Sequence, residues 1–86
     1  KPPKVDLSGG LFNKERTVSW RSSPEDQVRL WVVYKKQNGQ WSYEFVPAGN
    51  QTSGSISFPL GSGVTEIAIK AVDLNGSESR AVRRRL

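Results

Sequence analysis

The side chains that most often carry chemistry are scarce in this chain. It has no His and no Cys among 86 residues, so an imidazole base, a thiolate nucleophile and a cysteine metal site are all ruled out. The carboxylates are Asp6, Glu15, Glu25, Asp26, Glu44, Glu66, Asp73 and Glu78. Cutting a sugar linkage needs two of them facing each other across a cleft at a defined separation. Here most fall in turns or on outward strand positions, and a small sandwich filled by its own side chains leaves no cleft. The adjacent pair Glu25-Asp26 falls far short of the six or more oxygens that calcium takes. The expectation is therefore a domain that is not an enzyme, with no metal and no cofactor.

Charge and aromatic residues offer binding instead. The formal net charge is +5, which permits attraction to anionic partners through the summed field. Much of the excess sits in RAVRRRL at the end, where Arg83-Arg84-Arg85 reads as solvated charge that discourages edge-to-edge pairing. A nucleic-acid reader would show basic residues within a recognition helix, a paired-aromatic strand or a zinc pattern, and none is present. Trp31 is the sharper candidate: with Val33, Lys35, Val46 and Lys70 it forms an expected outward patch, apolar with charged neighbours. Such a patch packs on a neighbouring domain, is covered by the N-terminal segment, or stacks on sugar rings. Asn50-Gln51-Thr52 and Asn75-Gly76-Ser77 match the glycosylation pattern, which matters only in a eukaryotic secreted protein.

The elements that position these residues read as strands. Leu30 to Val46 is a hairpin turning at Asn38-Gly39, a pair that accepts the positive φ angles of a type I′ turn. A two-residue turn fixes the register, so Lys36 faces Trp41, Tyr34 faces Tyr43, Val32 faces Phe45 and Trp31 faces Val46. One hairpin face is then Leu30, Val32, Tyr34, Trp41, Tyr43 and Phe45, expected as core. The other is Trp31, Val33, Lys35, Ser42, Glu44 and Val46, expected outward.

Elsewhere, Arg16 to Arg21 alternates with Val18 and Trp20 inward, and Trp20 is the expected centre of the core. Ser22 to Gln27 is a polar turn. Ser55 to Leu60 buries Ile56, Phe58 and Leu60, and Val64 to Val72 buries Ile67, Ile69 and Ala71. Val5 to Leu7 makes a short edge strand, Leu11 and Phe12 cap one end of the core, and Glu78 to Leu86 is a last strand. No helical spacing persists for three turns. Seven such segments with turn signals between them indicate an all-β fold, an antiparallel sandwich.

Residues 1–4 read as a proline-stiffened linker and 5–86 as one domain, since this length does not hold two. No apolar run nears the ~18–20 residues that span a bilayer. With no Met and a start at Lys1-Pro2-Pro3, the chain reads as a segment of a longer protein.

The order of motifs resembles a fibronectin type III domain. It has a proline-rich start, a second strand ending in Trp (Thr17 to Trp20), and a third of the form Leu-x-Val-x-Tyr (Leu30, Val32, Tyr34). IAIKAVDLNGSES, Ile67 to Ser79, is similar to the family's sixth strand V-x-V-x-A-x-N-x-x-G-x-S, with Asp73 where Asn is common. One departure is Thr65, where the family usually places a tyrosine that fixes a corner. The resemblance implies a seven-stranded, immunoglobulin-like sandwich. The hairpin further resembles the C-terminal β-sandwich of bacterial glycosyl-hydrolase-like lipoproteins. That implies an extracellular, cell-surface or periplasmic accessory module, a spacer or docking domain of a multidomain, glycan-processing protein. Its expected partner is a neighbouring domain of the same chain, with polysaccharide or protein as alternatives. Neither nucleic acid nor membrane is expected to touch this domain, and the module is expected to be a monomer.

Overall fold

The computed structural model describes residues 1–9 and 14–86. Leu11 and Phe12, expected to cap the core, lie outside the described residues. Strands are β1 (Lys4–Gly9), β2 (Glu15–Arg21), β3 (Val28–Gln37), β4 (Gln40–Pro47), β5 (Ser53–Pro59), β6 (Val64–Asp73) and β7 (Val82–Arg85). They form two antiparallel sheets, one of three strands in the order β1-β2-β5 and one of four in the order β4-β3-β6-β7. The only helical element among the described residues is one 3-10 turn, Pro24–Asp26, with Ser23 Oγ accepting from the Glu25 N–H. The all-β expectation holds, and Lys4, read as linker, opens β1 opposite Arg21.

The sheets lie face to face around Val5, Val18 and Trp20 from one side and Trp31, Val33, Ile67, Ile69 and Ala71 from the other. Trp20 and Trp31 meet edge to face across the interior, ring centroids 6.0 Å apart and 68° between planes, a geometry worth about 0.5–1.5 kcal/mol beyond burial. Trp20 is buried as expected, and so are Ile67 and Ile69. Its indole lies flat on β5 because Gly54 has no side chain. A Cβ there would stand 2.7 Å from Trp20 Cζ2.

The hairpin pairing also matches the expected register, from Trp31 opposite Val46 to Lys36 opposite Trp41. Asn38 and Gly39 have φ of 51° and 82°, the left-handed pair that a type I′ turn requires. Its two faces, however, are turned the other way from the expectation, although Val32 is buried as expected. Trp31 is 1% exposed and Val33 is buried, whereas Trp41, Tyr43 and Phe45 are 45%, 62% and 61% exposed.

The cause is the neighbour on the other side of β3. The ladder to β6 sets Trp31 opposite Ala71, Val33 opposite Ile69 and Lys35 opposite Ile67. The opposite face of β6 carries Glu66 and Lys70, so Ile67, Ile69 and Ala71 turn inward and take their β3 partners with them. The buried inventory agrees. Trp31 has one polar atom, and its Nε1–H donates to Ser22 Oγ at 3.2 Å in the interior. Burying Tyr34 and Tyr43 instead would bring in two hydroxyls that each need a partner.

Two smaller expectations also change. Leu60 lies past the end of β5 and is exposed. The last strand is shorter than Glu78 to Leu86: residues 82–85 pair with β6, and Glu78 forms a single bridge to Val72.

Candidate functional site

Of the five residues expected to form an interaction surface, Trp31 and Val33 are interior, in contact with the opposite sheet. Lys35 and Val46 share their inward side and are half-buried. Lys70 alone lies on the outer face, since it pairs with Val32. The patch is therefore not assembled. The side chains that face water in its place come from alternate residues of β4, a run read from sequence as core.

That outer face is built on β4-β3-β6-β7. Cross-strand pairing lines up Phe45 with Val32 and Lys70, Tyr43 with Tyr34, Ala68 and Arg83, and Trp41 with Lys36, Glu66 and Arg85. Val32 and Ala68 form a buried floor. Tyr34 and Tyr43 are 6.1 Å apart at 48°, and Tyr43 and Phe45 are 5.5 Å apart at 64°. The rings thus make a tilted ridge. Between this ridge and the turn after β6 lies an open groove of about 410 Å³, lined by Val32, Tyr34, Tyr43, Phe45, Lys70 and Glu78.

Two ion pairs lie on this outer face, one of them lining the groove. Lys70 pairs with Glu78, and its Nζ sits 5.6 Å from the centre of the Tyr34 ring. The hydrogen bond to Glu78, then the neighbouring Tyr34 side chain, holds the Lys70 ammonium above the usual lysine range. At the other end Arg83 Nη2 donates to Glu66 Oε2 at 2.6 Å while its guanidinium lies 5.6 Å from the Trp41 ring centre. The Arg83 hydrogen bond lowers Glu66 below the ordinary carboxylate range, with Lys36 and Arg85 adding attraction.

Asp73 accepts at Oδ1 from the backbone N–H groups of Asn75 and Ser77, each at 2.9 Å. It shapes the turn that walls the groove. Chemically, this face offers apolar and aromatic contact edged by neutralised ion pairs. Among the described residues no group of three or more Asp or Glu gathers where it could hold a metal.

An all-β chain of two packed antiparallel sheets, with an aromatic outer face on the wider one, is the class that fold and site define. No protein-family model and no curated protein matches the chain.

Proposed function

We propose that this chain is a non-catalytic module of the fibronectin type III kind that docks, through the outer face of β4-β3-β6-β7, onto a neighbouring domain or protein. The observation that carries this reading is the ridge of Trp41, Tyr43 and Phe45, 45–62% exposed above an apolar floor. A soluble domain keeps such a patch when a partner covers it. Sheets of three and four strands with connections passing between them support the immunoglobulin-like type. The resemblance supports a place in a larger secreted or surface bacterial protein that processes glycan.

The ring planes favour a protein partner over a sugar. At 48° and 64° to one another they present edges and corners, which interlock with side chains, and no shared flat platform. A carbohydrate reading draws on one specific feature, the Lys70–Glu78 pair facing Tyr43 and Phe45 across the groove. Oxidative footprinting of Trp41 and Tyr43 tests the docking reading. Both rings are expected to be protected in the longer native polypeptide, or in the presence of its binding protein, relative to the isolated chain. Equal labelling would refute it. Of the three tryptophans only Trp41 is exposed, so fluorescence reports on this face. Quenching by a soluble polysaccharide that Tyr43→Ala abolishes would establish the sugar reading instead.

A further inference from the structure

The four sheet edges of the described residues are β1, β5, β7 and β4. Three are guarded by the devices that keep an edge from pairing with another chain. β7 is four residues long and carries Arg83, Arg84 and Arg85. β5 holds Gly54 and Pro59 among serines, and β1 is short and begins at Lys4. β4 is different. It runs for eight residues, its ladder with β3 has no bulge, its one proline is the last residue, and its one charge is Glu44. It is also exposed on both faces from Gln40 to Phe45, because the three-stranded sheet does not reach beneath it.

The turn decides which backbone groups face the open edge. With Asn38 and Gly39 as the turn, Gln37 and Gln40 are the first hydrogen-bonded pair, and the alternation then makes Trp41, Tyr43 and Phe45 non-hydrogen-bonded positions toward β3. The Ala48 N–H donating to the Arg29 carbonyl at 2.9 Å falls in the same alternation. The free N–H and C=O groups at the edge therefore belong to the three exposed aromatic residues.

We infer that β4 pairs with β4 of a second copy of this chain, antiparallel, about a two-fold axis at Tyr43. Tyr43 then faces Tyr43, and Trp41 faces Phe45 twice, so three residue pairs exchange about six backbone hydrogen bonds. All three ring pairs fall on the same outer face, the arrangement in which cross-strand aromatic pairs stabilise a sheet.

Charge fits a second copy in this register. Glu44 meets Ser42 of the second copy, and beyond that serine lies Lys35 of the second copy, two strand spacings or about 9.5 Å away. Lys and Glu side chains span that gap, and Glu44 makes no ion pair of its own among the described residues. Symmetry makes the pairing twice. An axis at Glu44 would instead set two carboxylates opposite each other. The β7 backbone lies at the far edge of the sheet, three strands away, and the one β7 guanidinium that reaches the Trp41 ring, that of Arg83, is paired with Glu66. This edge contact differs from face docking: it joins two four-stranded sheets into one and leaves the outer faces side by side.

The test is sedimentation equilibrium of the 86-residue chain between about 1 µM and about 1 mM, with far-UV circular dichroism on every variant. A weak, concentration-dependent dimer is expected. Tyr43→Lys places like charges across the axis and should raise the dimer Kd at least about tenfold with the dichroism unchanged. Glu44→Lys should weaken the dimer, and Glu44→Lys combined with Lys35→Glu should restore it. A monomer throughout the range overturns the inference, including one that takes up an extended foreign peptide along β4. So does a dimer indifferent to Tyr43→Lys, or a charge reversal that the double exchange fails to rescue.

Discussion

Ser22 and Gly54 hold the two core tryptophans from opposite sides. Ser22 Oγ takes the Trp31 indole proton in the interior, and deleting the hydroxyl removes that acceptor. Ser22→Ala is expected to lose about 1–3 kcal/mol, the cost of a buried donor left alone. Gly54→Ala acts by volume, since the new Cβ meets Trp20 at 2.7 Å and Trp20 is pinned behind by Trp31. About 1–3 kcal/mol is expected there too. Urea titration checks both: each midpoint should fall at an unchanged slope, and a midpoint within error of the parent would contradict the packing described. Trp20 was readable from sequence because its strand has one apolar and one polar side. Trp31 was not, because both sides of its strand are apolar and its acceptor lies in a polar turn before β3.

At the scale of elements, the Asn38-Gly39 turn does more than reverse the chain. The Asn38 N–H donates to the Gly63 carbonyl at 3.0 Å, and Gln37 Nε2 donates to the Ser62 carbonyl at 2.8 Å, so the β3–β4 and β5–β6 connections are fastened together. A Cβ at Gly63 would stand 2.1 Å from Asn38 Oδ1, on a residue with φ of 89°. Gly39 has φ of 82° and open space around it. Gly39→Ala should therefore cost only the left-handed backbone term, roughly 1–2 kcal/mol, and Gly63→Ala should cost more because it also displaces the Asn38 amide. A double-mutant cycle of Gly63→Ala with Asn38→Ala should show coupling of at least about 0.5 kcal/mol. No coupling would mean the two turns are independent.

Pairing within the hairpin was legible because a two-residue turn fixes it locally. Its inside and outside were not, because they depend on the β3–β6 ladder. That ladder joins distant residues and shifts register twice, between Val28 and Leu30 and between Lys36 and Gln37. The expected site followed the wrong face for that reason alone, and of its five residues only Lys70 lies on the outer face, its side fixed by the charges of β6.

Across the whole molecule, 38 × 25 × 17 Å, the unequal width of the sheets leaves β4 overhanging and concentrates exposed rings and ion pairs on one side. Sequence could suggest two layers, but which layer is wider depends on long-range pairing that no local signal encodes. The same imbalance predicts how stability responds to pH. Glu66 lies below its ordinary value through Arg83, Lys36 and Arg85, so its contribution is present above the unfolded carboxylate range, about 4.3. It is lost as pH falls through the lowered value. Lys70 lies above its ordinary value through Glu78 and Tyr34. Its contribution is present below about 10.4 and is lost as pH rises through the raised value. Thermal midpoints should thus be nearly level between those limits and decline beyond each. Glu66→Gln should flatten the acid decline and leave the alkaline one, whereas Lys70→Met should do the reverse. Both declines should shrink at about 1 M salt, where the Debye length is about 3 Å, because both pairs lie at the surface. If either variant keeps the parent's profile on its own side, the ion pair it removes does not govern stability there.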